Sequence, residues 1–514
     1  MQHSKRNDSW IRWVIFLGVA AALGALVWLG WSVVVRHRAL PGIAGNAPES
    51  TATIGIGDMP DSLDLRTAAS PAAERLLLDN VYETLVTVDQ HNQLKPGLAT
   101  AWKVSDDGLT YTLTIASGDT FSNGHTLDAA DVVWSLQQSV TGKVAGVDEL
   151  GNLTSITNPN ASTVVIALAQ PNPTLLRALS GRLGIVYDAD AGNTDYARQA
   201  VGSGPFTVGA FDPGKSLTLN YSTTYYGTKA KVGTVTFTQY ADDTALAQAL
   251  TDGKVDMAAP ASAAVAAAAK GKDGLTVKAG ASTGKVLLAF NNGNDSIMSD
   301  EQARKAMRYS IDAAGIAASQ PDSAGALGGP VGPLEEGYED LTGLYPYDLA
   351  KAQSLYAYFG SEYLTTVNLV VPERYRALGE TIAQQIGQLA RPTVVFEVLS
   401  DEDYAKRIEA GKWELTVMSM DGDGDAGEFA DPDSIFHYDH AEAQQAWAAV
   451  RAARNETEYA EKMKAYARLI SEDAASDWLY ARKCFTVASA KVSGYPTGLI
   501  DQRLPLAGLV MQHA

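Results

Sequence analysis

Cysteine is nearly absent: Cys484 is the single one among 514 residues. That excludes an intramolecular disulfide framework and any zinc or iron–sulfur site built on several thiolates. Positive charge is also scarce. Lys and Arg number 40 against 59 Asp and Glu, a formal net charge of −19. Phosphate binding needs clustered basic residues, so a nucleic-acid partner is excluded. Assembled catalytic motifs are missing too. AGASTGKV (279–286) has the outline of a phosphate loop. However, Ala279 stands at the first glycine position, and Val286 follows Lys285 where Ser or Thr would hold magnesium. GSGP (202–205) lacks the spacing of a nucleophile elbow. Ser282-x-x-Lys285 is a two-residue pattern common by chance, and Cys484 reads as a small core residue. No nucleophile–base arrangement emerges, so the chain is expected not to be an enzyme.

What is present is apolar enough to fold. Hydrophobic residues make up 46% and charged residues 19%, which argues against global disorder. The length suggests two to four domains at roughly 150 residues each. One long apolar run, Trp13 to Val35, has Ser32 as its clearly polar side chain. As a helix it would measure about 35 Å, enough to cross a hydrocarbon core of roughly 30 Å. Trp10, Trp13, Trp28 and Trp31 lie near its ends, where indoles favour the interface. A cleaved signal peptide is the competing reading, but its apolar core would be shorter, about 7–15 residues. The expectation is an uncleaved membrane anchor over 1–40 and a flexible tether over 41–51. Lys5, Arg6 and Arg12 precede the span and place the acidic remainder outside the cytoplasm.

Beyond the tether, two periodicities alternate. Leu109, Tyr111, Leu113 and Ile115 alternate with Thr110, Thr112 and Thr114, and Leu217–Tyr221 and Thr234–Thr238 repeat the pattern, as half-buried strands do. VNLVVP (367–372), TVVFEVL (393–399) and ELTVMSM (414–420) read as strands buried on both faces. Asp128 and Asp131 cap a helix whose stripe is Val132, Val133, Leu136 and Val140. Ala303, Ala306, Met307, Ser310 and Ile311 share a helical face, with Arg304, Lys305 and Arg308 largely off it. This mixture gives an α/β fold without a fixed repeat.

Two acidic clusters invite a metal reading. Asp421, Asp423 and Asp425 imitate the start of a calcium loop, but its sixth position is Ala426 and its twelfth Pro432. His437 and His440, with Asp433 and Asp439 beside them, could bind nickel or zinc; a solvated turn is the preferred reading. No metal or cofactor is expected.

Nine blocks in order resemble the extracytoplasmic solute-binding proteins of ABC importers, family 5, the class of dipeptide- and oligopeptide-binding proteins. They are DSLDLR (61–66), YETL (82–85), PGLATAWKVSDDGLTYTLTI (96–115) and FSNGHTLDAADVVWSL (121–136), then GSGPF (202–206), ALTDGKVDM (249–257), LAFNN (288–292), ARKAMRYSID (303–312) and DPDSIF (431–436). The resemblance implies a type II periplasmic-binding-protein-like α/β fold: two lobes, a hinge and an inserted subdomain. Lobe I would comprise 52–86, 200–282 and 486–514, the insertion 87–199, and lobe II 283–485.

The resemblance also implies ligand contacts. Peptide-binding relatives pair a peptide's α-amine with an aspartate four residues before the D/E-P proline. Pro432 puts Glu428 there, and Asp421 or Asp425 can stand in. Ser419 and Met420 match the strand end that pairs main-chain groups with an extended peptide. Ala69, Ser70 and Pro71 would form the opposite wall, although Leu65 stands where relatives have proline. Tyr82 either faces the cleft or joins the core, and Arg374 and Arg376 are candidates for the peptide carboxylate by charge alone. The implied function is a membrane-tethered, monomeric receptor that delivers a peptide to an ABC permease with its ATPase. Oligosaccharide and nickel cargo, or a ligand-sensing ectodomain, are the alternatives.

Overall fold

A computed structural model describes residues 47–67, 69–359, 366–389, 391–420, 422, 424–500 and 503–512. The expected anchor over 13–35, Asp421 and Asp423 lie outside these residues. Among the described residues no helix is long and apolar enough to cross a membrane.

The strands of the two larger sheets are numbered in chain order. β1 is Thr51–Ile56, β2 Ala99–Val104, β3 Thr110–Ile115, β4 Leu153–Asn160 and β5 Thr163–Leu168. β6 is Phe206–Asp212, β7 Ser216–Tyr221, β8 Thr234–Gln239, β9 Met257–Ala261 and β10 Leu275–Phe290. β11 is Ser323–Ala326, β12 Thr366–Pro372, β13 Thr393–Leu399, β14 Leu415–Met420 and β15 Ser476–Ser489. Eleven strands form one mixed sheet in the order β6-β7-β8-β1-β9-β15-β10-β14-β12-β13, with β11 added on β15. β2-β3-β5-β4 form a separate antiparallel sheet.

β10 and β15 run through both halves of the large sheet. They pair from Leu275↔Ser489 to Ala289↔Ser476, and their register shifts between Ala281 and Lys285. On one side of that shift β15 pairs with β9; on the other β10 pairs with β14, from Lys285↔Met420 to Phe290↔Leu415. Alternation along a strand then sends neighbours to opposite cores. Leu288 joins Leu369 and Ile382 on one face, whereas Leu287 joins Trp478 and Tyr466 on the other. The first half has its own two clusters, around Ile54 and Phe237 and around Leu246 and Val265. The four-stranded sheet buries Leu113 and Ile166 against Val132 and Leu136.

Local chemistry explains the joints. Asp128 caps the helix Ala129–Gly142, and Asp131 returns a bond to the Asp128 N–H, a complete capping box. Gly202 and Gly204 pass so close to the 80–81 backbone that a Cβ would lie 2.1 Å from the Val81 carbonyl oxygen and 2.5 Å from that of Asn80. The C-terminal segment returns to the first half: Arg503 Nη1 meets both Asp79 carboxylate oxygens at 2.7 Å, and Asn80 Nδ2 donates to the Leu504 carbonyl at 2.8 Å.

Three expectations are corrected. Val140 is exposed rather than part of the helix stripe, because it lies in the last turn beyond the sheet. β13 is half-buried, not buried on both faces, because it is the edge strand. Arg304 and Arg308 are buried, not turned outward. Arg308 Nε lies 3.1 Å from Asp477 Oδ1, and its other donors reach the Ser471 and Gly328 carbonyls. Arg304 Nη2 lies 2.6 Å from Asp473 Oδ2. Buried charges need such complete pairing.

Candidate functional site

The register shift in β10 brings Lys285 to the junction of the two sheet halves. Its side chain is 1% exposed. Its Nζ lies 2.6 Å from Glu335 Oε2 and 2.7 Å from Asp425 Oδ1, with the Gly422 carbonyl at 3.4 Å. Desolvation would lower the lysine pKa; the attraction of Glu335 and Asp425 outweighs it and raises the value. The segment that resembles a phosphate loop is therefore a strand, and its lysine is an internal tie. The same contact engages Asp425, so that carboxylate is held by the protein itself.

Lys285 fixes one end of the acidic loop, and aromatic packing fixes the other. Residues Asp425–Ala430 form a short 3-10 helix. Ala426 and Phe429 point inward: Tyr466 Oη donates to the Ala426 carbonyl at 2.8 Å, and Phe429 stacks on Phe436 with ring centroids 4.2 Å apart. Glu428 consequently faces outward, into a cavity of about 940 Å³. Among the described residues it has no ion-pair partner. Desolvation, then the neighbouring Asp431 charge, raises its carboxyl above the ordinary value.

The cavity's walls come from two bodies. One wall is Glu428, Asp431, Trp447, Arg451, Glu456 and neighbours; the facing wall includes Leu94, Asp148, Asn152, Asn172 and Arg177. A Cβ at Gly427 would meet the Trp447 indole at 2.5 Å, so glycine lets the indole seat on the loop. Two contacts join the bodies beside the cavity. Asn92 Nδ2 donates to the Leu334 carbonyl at 3.1 Å, and Arg177 holds Asn92 through its side-chain and main-chain oxygens, both at 2.9 Å. Gly108, at φ +71°, lies so near Arg454 that a Cβ would be 3.0 Å from its carbonyl oxygen.

The sequence-named residues are not all gathered here. Ser419 and Met420 end β14 beside Lys285, paired with Val286 and Lys285 of β10. The parallel β12–β14 ladder covers Leu369↔Leu415 and Val370↔Thr416, so the last residues of β14 keep one main-chain edge outside it. Ala69 is exposed, and Ser70 caps the helix Pro71–Leu77, its Oγ accepting from the Ala73 N–H at 3.3 Å. Neither lines the cavity, whose second wall is the four-stranded-sheet region. Tyr82 is 1% exposed and packs edge-on to Tyr187, so it belongs to the core. Asp421 lies outside the described residues. Arg374 is engaged with Asp401 at 2.6 Å and Arg376 with Glu373 at 2.6 Å. Arg451, which sequence reasoning missed, lines the cavity without an ion-pair partner among the described residues. A lone arginine ending a helix carries no sequence signal beyond a favourable place on the macrodipole. His440 caps the helix Ala441–Arg451 and stacks on Tyr438. Among the described residues no group of three or more His, Cys, Asp or Glu is placed to hold a metal ion.

Comparison with known proteins places this geometry. Residues 93–440 match the bacterial extracellular solute-binding proteins, family 5 Middle. The chain is 24% identical over 447 residues to di/tripeptide-binding protein 4 of Pseudomonas aeruginosa (strain UCBPP-PA14), covering 78% of this chain and 83% of that protein. It is 28% identical over 221 residues to protein XP55 of Streptomyces lividans, covering 41% of this chain and 39% of that protein. Among solved structures, the substrate-binding protein CtaP of Listeria monocytogenes shares the fold with a TM-score of 0.80 at 16% identity, covering 91% of this chain and all of that one. DppA of Helicobacter pylori, in complex with the peptide STSA, gives 0.74 at 18% identity over 90% and 98% of the two chains. NikA of Staphylococcus aureus, in complex with Ni(L-His)2, gives 0.74 at 18% identity over 90% and 100%.

Proposed function

The chain belongs to the bacterial extracellular solute-binding proteins, family 5, and from that premise we propose that it captures peptides outside the cytoplasm and delivers them to an ABC permease with its ATPase. The observation that carries this reading is the Glu428 carboxylate, without an ion-pair partner among the described residues, facing a large cavity between two bodies. A peptide ammonium would remove its desolvation cost. Arg451 supplies a guanidinium for the peptide carboxylate on the same wall. Ser419 and Met420, half-buried and outside the β12–β14 ladder, have a main-chain edge that suits an added extended strand. Recognition through main chain and termini tolerates varied side chains.

Capture is a hinge closure. Lobe I comprises 52–86, 200–282 and 486–514, lobe II 283–485, and 87–199 is the insertion. The separate hydrophobic clusters support this division, and β10 and β15 are its natural hinge. Residues 13–35 tether the receptor, a monomer, to the membrane and keep it at high local concentration near its permease.

A thermal-shift screen of the purified chain against dipeptides, longer peptides, oligosaccharides and nickel tests the reading. A ligand at 100 times its dissociation constant adds about 2.7 kcal/mol, a visible shift. Peptides alone are expected to produce it. A shift with sugars or nickel instead would keep the family and discard the cargo.

A further inference from the structure

One hairpin of the insertion hides a polar residue at its tip. Val86–Val88 and Leu94–Pro96 pair antiparallel, and residues 89–93 turn between them. Asp89 builds the turn: its Oδ1 accepts from the His91 N–H at 2.8 Å and from the Gln93 N–H at 3.0 Å. Gln90 and His91 are exposed, as turn residues usually are. Asn92 is only 3% exposed. It stands at φ +59°, a left-handed conformation that asparagine tolerates better than most residues.

Two partners bury and orient its amide. Arg177 Nη1 donates to Asn92 Oδ1 and Nη2 to the Asn92 carbonyl, both at 2.9 Å. A guanidinium offers donors alone, so Oδ1 must face it and Nδ2 is turned toward lobe II. There Nδ2 donates to the Leu334 carbonyl at 3.1 Å, 242 residues away. Leu334 belongs to a braced turn. The Glu335 N–H donates to the Gly332 carbonyl at 3.0 Å, and Glu335 Oε2 holds Lys285 Nζ at 2.6 Å. Lys285 also holds Asp425, the first residue of the short helix that carries Glu428. The hairpin thus meets lobe II at the turn whose next residue ties the hinge strand β10 to the Glu428 loop.

We propose that Asn92 is a latch between the insertion and lobe II, and that its hydrogen bond to Leu334 sets the closed fraction of the receptor. The proposal rests on the hinge-closure reading and adds the residue that weights its two states. Arg177 is the positioning residue that aims the amide. Opening the latch exchanges a protein–protein hydrogen bond for bonds to water, so the bond shifts the closed-to-open ratio by about fivefold rather than by orders of magnitude. A ligand that needs the closed form has its apparent affinity scaled by the closed fraction. Asn92 therefore tunes affinity without touching the ligand.

Double electron–electron resonance on the full chain in detergent micelles tests it, with spin labels at Gln138→Cys and Lys464→Cys in a Cys484→Ser background. Both label sites are exposed, one on the helix Ala129–Gly142 of the insertion and one on the helix Glu456–Glu472 of lobe II. Asn92→Gly suits the positive φ and removes the amide. Asn92→Asp keeps an oxygen for Arg177 and loses the donor to Leu334. Both should lower the ratio of short to long distances about fivefold, and His91→Ala, beside the latch, should leave it unchanged. Two distances in the same ratio in every protein would overturn the latch and leave lobe motion standing. A single narrow distance in every protein would overturn the latch and the hinge reading together. Calorimetric titration with trialanine judges the cargo separately. Its affinity should fall in both Asn92 variants; no binding to the chain with Asn92 intact would refute the peptide reading, and the distances would still decide the latch.

Discussion

Replacing Lys285 by Met keeps the length of the side chain and removes its charge. The structure then leaves Glu335 and Asp425 facing each other at a position where the ammonium was 1% exposed. Removing one partner of a buried ionic cluster costs about 3–5 kcal/mol, because the remaining charge is neither solvated nor paired. Some of that is recovered if one carboxylate takes up a proton. The loss should accordingly be smaller at pH 5 than at pH 8. In the wild type the lysine pKa is raised, so the contribution of its ammonium is fully present at neutral pH and is lost only as alkaline pH rises through that value. Urea denaturation at the two pH values measures the effect. The triple variant Lys285→Met/Glu335→Gln/Asp425→Asn should regain most of the lost stability, since it removes the stranded charges as well. A loss below about 1 kcal/mol at pH 8, the range of exposed ion pairs, would refute the reasoning.

Other expectations follow from named contacts. Glu83 accepts from the Tyr225 and Tyr226 hydroxyls, and desolvation pushes its carboxyl up to about 7. A raised carboxyl pKa favours folding below the unfolded value, and that advantage is lost as pH rises through the folded one. Glu83→Gln should therefore gain stability relative to wild type as pH rises from 5 to 8, by at most about 3 kcal/mol, read by thermal or urea denaturation; a constant difference across that range would be the wrong outcome. Arg308→Ala strands Asp477 and two carbonyls and should cost about 3–5 kcal/mol in denaturant titrations. Ligand affinity should weaken as pH falls through the raised Glu428 value, since an ammonium needs the ionised carboxylate. Glu428→Gln should flatten that profile in titrations at several pH values.

Where periodicity governs, the fold was legible. The strands at 217–221 and 234–238 and the capping box at Asp128 all follow from local spacing. Arg304 and Arg308 were not legible as core residues. A helical wheel assigns charge to the surface, and both carboxylate partners lie 169 residues away. Lys285 was hidden in the same way, inside a pattern that imitates a phosphate loop. Glu428 was reached by its offset from Pro432. The wall facing it was not, because Asp148 and Arg177 reach the same cavity through tertiary packing that no local pattern announces.

The most direct test of peptide capture is calorimetric titration of one tripeptide and its N-acetylated twin into wild type and Glu428→Gln. The expected result is strong binding of the free-amine peptide to wild type, weakened by either the acetyl group or the substitution, by about 2–5 kcal/mol where lobe closure buries the ion pair, with little further loss when both are combined. Equal affinity in all four titrations, or no binding of the free-amine peptide to wild type, would contradict it.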